Sequence, residues 1–246
     1  MLRTLIIVCI CCSLAGFDCT SAWSQSTGYL KIEPKKVPGK SQHEVIAYRP
    51  REGDLVFYDD RHVIWTLLFI WAGTGPPLHM GIVVKKDNGS LAVLEAGPDD
   101  TVRVALMDLD KRLRQFHHDF QGTITIRRCK KTLGKEQSKA LTQFAQAQTN
   151  KRYAVGRLLL QGTSFRSRGP IREKLLGKTY LDRDSWICSE LAVAAGTVVK
   201  LFDPTAVHAN VTYPRDLVDN VRHDLSSGWH DAAVWMPHRE KQDERR

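Results

Sequence analysis

Five short β-type runs, two of them joined by a tight turn, constrain this chain more than any other feature. They are Leu55-Val56-Phe57-Tyr58, His79-Met80-Gly81-Ile82-Val83-Val84, Leu91-Ala92-Val93-Leu94-Glu95-Ala96, Thr101-Val102-Arg103-Val104-Ala105-Leu106 and Thr123-Ile124-Thr125-Ile126-Arg127-Arg128-Cys129. All are rich in β-branched and aliphatic residues, and the last alternates cleanly, as a strand with one buried face does. Asp87-Asn88-Gly89-Ser90 joins the second run to the third. Asn-Gly is a strong hairpin signal, because the turn that matches strand twist needs positive φ at both central positions. Connections this short favour antiparallel neighbours, since parallel strands need a crossover.

The hairpin carries chemistry at its open end. Pairing about Asn88-Gly89 sets Val84 or a neighbour against Leu91 and brings His79 and Glu95 to the same end of the ribbon. Whether they share a face turns on register, because a slip of one residue sends them to opposite sides. On one face, the carboxylate holds the imidazole, fixes its tautomer and stabilises imidazolium. On opposite faces, His79 is an ordinary half-buried strand histidine and Glu95 a carboxylate in water.

Helical spacing appears in three places. Within 135–150, Leu141, Phe144, Ala145 and Gln148 fall on one side, which suits a helix packed on the sheet. After Trp186-Ile187, the residues Leu191, Ala194, Ala195, Val198 and Leu201 recur on one face, so Cys188 sits in a first helical turn. Unpaired backbone N–H groups and the positive end of the macrodipole face a thiol there and favour the thiolate. The alternative is a buried cysteine that merely fills the core. Tyr213-Pro214-Arg215-Asp216-Leu217-Val218 begins a short helix with proline early. Strands and helices together predict an α+β fold, an antiparallel sheet packed against helices. The nearly all-apolar run Val63-Ile64-Trp65-Thr66-Leu67-Leu68-Phe69-Ile70-Trp71 is far too short to span a bilayer. It reads as a buried helix, or else Trp65 and Trp71 wall an apolar substrate groove. Asp54, in Arg51-Glu52-Gly53-Asp54, reads as a structural turn residue.

The ends read differently. Residues 1–22 have the layout of a secretory signal, with Arg3, then Leu5-Ile6-Ile7-Val8-Cys9-Ile10-Cys11-Cys12, then Thr20-Ser21-Ala22 for cleavage. The expected location is secreted or periplasmic. Cleavage removes four of the six cysteines and leaves Cys129 and Cys188, either free or joined to each other. Residues 23–50, with Pro34-Lys35-Lys36-Val37-Pro38-Gly39-Lys40, read as a linker; 51–222 form the domain; 223–246 read as a charged tail.

The net charge of +9 survives signal removal, because Arg3 and Asp18 leave together. A basic exported protein is drawn to anionic cell-wall or lipid material and makes peripheral contact with membrane surfaces. No motif supports nucleic acid as a partner. Lys151, Arg152, Arg157, Arg166, Arg168, Arg172, Lys174 and Lys178 crowd the approach to Cys188, with Glu173 the lone acid of that stretch. They form either a solvated face or a cationic wall that draws an anionic substrate and favours a thiolate. No metal or cofactor is expected: His117-His118 are adjacent and project apart, and Cys-x-x-Cys, His-Glu-x-x-His, Gly-x-Ser-x-Gly and phosphate-loop patterns do not occur.

The order Gly53-Asp54-Leu55-Val56-Phe57, His79-Met80-Gly81-Ile82-Val83, Leu94-Glu95-Ala96, Cys188-Ser189-Glu190-Leu191 resembles the circularly permuted papain-like hydrolases, NlpC-type cysteine amidases, and their YiiX-like branch most. The resemblance implies a permuted papain-like half-barrel whose nucleophile opens a helix. It implies Cys188 as nucleophile, His79 as general base and Glu95 as the group orienting His79. It places Tyr153 where such proteins often carry a tyrosine. The activity it implies is amide hydrolysis on peptide or cell-wall material. A lipid-directed acyl hydrolase or acyltransferase of the same fold, and a non-catalytic binding domain, are the alternatives.

Overall fold

Eight strands form one antiparallel sheet in a computed structural model that describes residues 26–33, 43–98, 101–160, 163 and 177–238. In chain order the strands of the protein are β1 (Tyr29–Ile32), β2 (Glu44–Ala47), β3 (Leu55–Asp59), β4 (His79–Lys85), β5 (Leu91–Ala96), β6 (Val104–Asp108), β7 (Thr123–Arg127), β8 (Arg152–Tyr153), β9 (Ser185–Trp186) and β10 (Ala233–Met236). The large sheet runs β2-β1-β10-β7-β3-β4-β5-β6, and β8 pairs with β9 in parallel. The helices are α1 (Val63–Trp71), α2 (Leu109–Phe120), α3 (Lys135–Gln148), α4 (Val155–Leu159), α5 (Cys188–Val198) and α6 (Pro214–Val218). The α+β class and the antiparallel sheet are as the sequence predicts.

Strand alternation divides the core in two. Leu55, Phe57, Met80, Ile82, Val84, Ala92 and Leu94 point to the face that carries α3 and α5. Val56, Tyr58, Val83, Val93 and Ile126 point to the other, where Leu109, Leu113 and Phe116 of α2 close over them. Asp108 caps α2 by accepting from the Lys111 N–H at 3.3 Å.

Four expectations need correction. The 23–50 segment is no simple linker: β1 and β2 lie within it and add two strands to the sheet. Nor is 223–246 only a charged tail, since β10 sits inside the sheet between β1 and β7, with Ala233 and Trp235 buried. Four-residue strands carry too little period to be seen in sequence, and only the unpaired side of β7 makes sense of them. The strand expected at 101–106 begins later, at Val104, and α2 follows it. Finally, 63–71 is a helix as expected but not a buried one: Val63, Ile64, Leu67, Leu68, Ile70 and Trp71 are exposed. α2, α3 and α5 already pack on the two faces of the central strands. The expected signal, 1–22, lies outside the described residues.

Cys129 and Cys188 are both free thiols. Cys129 donates to the Lys131 carbonyl at 3.3 Å, and burial pushes its thiol up. Asp54 is the structural residue expected. It is buried, and its carboxylate accepts from the backbone N–H groups of Cys129 (2.7 Å) and Arg51 (3.1 Å) and from the Tyr48 hydroxyl (3.0 Å).

Burial pushes the Asp54 carboxyl up to about 7, against the pull of those hydrogen bonds. An acid that titrates higher in the folded chain binds more protons there, so its contribution to stability falls as pH rises from about 4 to its folded value. The stability advantage of wild type over Asp54→Asn should therefore shrink between those pH values in urea unfolding at stepped pH. Parallel stability profiles would show that Asp54 is ionised throughout.

Candidate active site

Register decides whether His79 and Glu95 meet. Leu91 pairs with Lys85, and Glu95 pairs with Gly81. His79 and Gly81 are two apart on β4, so His79 and Glu95 share the face of the sheet that bears Tyr58 and α2. The contact is therefore diagonal. His79 Nε2 lies 2.9 Å from Glu95 Oε2. Gly81 makes room for it: a Cβ there would stand 2.8 Å from Glu95 Cγ and 2.4 Å from Val93 Cγ1.

Glu95 has no exposure, and its neighbours fill all its acceptor directions. Oε1 accepts from the Tyr58 hydroxyl at 2.8 Å and from Arg112 Nε at 3.0 Å. Oε2 accepts from Arg112 Nη2 at 3.1 Å and takes the His79 contact. Arg112 is itself buried, with its guanidinium carbon 4.9 Å from the Tyr58 ring centroid. Neither Tyr58 nor Arg112 was singled out from sequence. The signal for Arg112 exists, since it falls within the helical stripe of Leu109, Leu113 and Phe116 behind the capping Asp108.

Cys188 opens α5 and arrives from the opposite face of the sheet. His79 is the first residue of its strand, so its ring stands at the end of the sheet where a helix from the far side can reach it. There His79 feels Cys188 as well as Glu95. Glu190 secures the start of α5: its carboxylate accepts from the Ile187 N–H at 3.3 Å and binds Arg157 Nη1 at 2.5 and 2.6 Å.

Electrostatics follow from this order. Burial alone would push the His79 pKa down; the neighbouring Cys188 and the hydrogen-bonded Glu95 carboxylate outweigh that and push it up to about 10. Burial alone would push Glu95 up; the hydrogen bond with His79 and the charges of Arg112 and His79 hold it down at about 2. The arrangement favours the imidazolium form of His79 beside the Glu95 carboxylate.

Tyr153 also reaches this place. It lines a narrow cleft with Cys188, and across the cleft stand Phe69 of α1, Thr212 and Tyr213. Burial, then the charges of Cys188 and Glu190, raise its phenol well above the ordinary value, so the hydroxyl stays neutral. Gly97, at φ +73°, passes under it: a Cβ there would stand 2.8 Å from the ring. Trp71 is exposed, while the Trp65 side chain lies outside the described residues, as do Arg166, Arg168, Arg172 and Lys174. Of the described cations before Cys188, Arg157 is taken by Glu190 and Lys151 by Asp182.

No family model matches this chain, and no curated protein matches it. Among solved structures, the crystal structure of the metalloprotein yiiX from Escherichia coli O157:H7 is similar at 19% identity and a TM-score of 0.43. The match covers 63% of this chain and 69% of that one.

Two measurements test the cluster. His79 should titrate near pH 10 by NMR, and Glu95→Gln should move that titration toward the ordinary range near ~6.5, because the neutral amide no longer favours imidazolium. An unmoved titration would detach Glu95 from His79. Arg112→Met leaves a buried carboxylate short of its counter-charge and should cost about 3–5 kcal/mol in urea unfolding.

Proposed function

We propose that this chain is a cysteine hydrolase that cleaves an amide through an acyl-enzyme, with Cys188, His79 and Glu95 as its catalytic groups. The observation that supports this most is His79 bonded to a buried, fully satisfied carboxylate, with Cys188 near enough to shift its pKa. The Cys188 sulfur attacks the carbonyl carbon. The oxyanion that forms meets the Cys188 N–H, at the first helical position, where no intrahelical partner exists. His79 gives its proton to the departing amine, and the thioester remains. His79 then takes a proton from water as the water attacks, and the thiol is released with the acid. Glu95 keeps the ring oriented throughout and stabilises its charged form. Tyr153 offers a neutral hydroxyl in the same cleft.

Among the described residues no three His, Cys, Asp or Glu side chains gather as a metal shell. In this reading the chain is exported, loses residues 1–22 and meets anionic cell-wall or lipid material. A lipid-directed acyl hydrolase is the second reading, favoured by Phe69 of the apolar α1 lining the cleft.

With a panel of acyl amides and lipid esters, Cys188→Ala should abolish release of product and His79→Ala should lower the rate about a hundredfold or more. Iodoacetamide should label Cys188 ahead of Cys129, followed by mass spectrometry. Equal labelling, together with wild-type protein that turns over none of the panel, would leave a binding domain.

A further inference from the structure

The outer side of α1 is apolar over an unusual width. Val63, Ile64, Leu67, Leu68, Ile70 and Trp71 are all exposed, Leu67 at 60% and Trp71 at 61%. At ~100° per residue these positions fan over an arc of about 160°, wider than the ~100° stripe of many core-facing helices. The run has no Asp, Glu, Lys or Arg, and Thr66 and Phe69 lie on its other side. Phe69 lines the Cys188 cleft, and the Tyr213 hydroxyl reaches the Ala72 carbonyl at 3.4 Å just past the helix. One short helix thus presents an apolar arc outward and borders the cleft inward.

We propose that α1 seats this protein on the surface of an anionic phospholipid bilayer, its outer arc among the acyl chains and the Cys188 cleft beside the headgroups. Hydrocarbon suits the arc better than a protein partner does. Protein interfaces carry a polar rim and regular hydrogen bonds, whereas this arc has no side chain that donates or accepts except the Trp71 indole. That indole stands at the helix end, where tryptophan serves as an interfacial anchor. The helix is about 13 Å long against a hydrocarbon core of about 30 Å, so it lies in the interface and does not cross it. Asp60, Arg61 and His62 precede it with mixed sign, so attraction to an anionic leaflet comes from the net +9 of the whole chain. The seat is independent of the hydrolase reading, because it needs neither Cys188 nor His79.

The test is co-sedimentation of the purified protein with vesicles of phosphatidylcholine, with and without phosphatidylglycerol. Wild type and Cys188→Ala should pellet equally well with the anionic vesicles and more weakly with the neutral ones. The Leu67→Glu/Trp71→Glu protein should bind about tenfold or more weakly. Val45→Glu, on the exposed β2, should bind as wild type does. Circular dichroism checks that the variants fold. Independently of any variant, hydrogen exchange of residues 63–71 in wild type should slow when anionic vesicles are added. Wild type that stays in the supernatant, or exchange in 63–71 that vesicles leave unchanged, overturns the proposal. So does a wild-type dimer in analytical ultracentrifugation that the double variant abolishes without loss of vesicle binding, since the arc would then belong to a second copy. Loss of hydrolysis in Cys188→Ala with binding intact separates the seat from the chemistry.

Discussion

A carboxylate shut away from water must be fully satisfied by its neighbours, and Glu95 is the point on which the site depends. Two Arg112 nitrogens, the Tyr58 hydroxyl and the His79 ring surround it. Each partner comes from a different element, so β3, β4, β5 and α2 must all be in register before the charge is tolerated. The reward is orientation. A histidine whose Nε2 is fixed in this way can aim its other nitrogen in one direction only. Folding energy and site geometry are therefore coupled through a single buried charge.

What could be read in the sequence follows from this. The hairpin was legible because Asn88-Gly89 is local, and so were the helix behind Cys188 and the helix at 135–148. The sharing of a face by His79 and Glu95 was not, because one residue of register decides it and turn composition does not. Arg112 was missed because a single charge inside an apolar stripe reads as a solvated position until the buried acid opposite is known. Strands β1, β2 and β10 were missed for want of length. The apolar run at 63–71 was misplaced for a different reason: composition says what a helix prefers to touch, not whether any sheet face is left to touch.

The two ends of the site differ in character. On the Glu95 side every polar group is paired and enclosed. On the Cys188 side the groups border a narrow cleft, part of whose lining, Phe69, comes from a helix with an exposed outer side.

The position of β10 has a consequence for how the chain is assembled. β1 pairs with β2 on one side and with β10 on the other, and β10 is the link that joins this pair to β7. Tyr29 lies opposite Met236, with most of the chain between them. During synthesis β1 and β2 emerge long before β10 yet cannot join the sheet until β10 is made. Contacts of such long sequence separation close slowly, because the entropy of the intervening loop is lost before the pairing rewards it. Until then the outer edge of β7 is an unpaired strand edge, the kind of surface on which nascent chains associate wrongly.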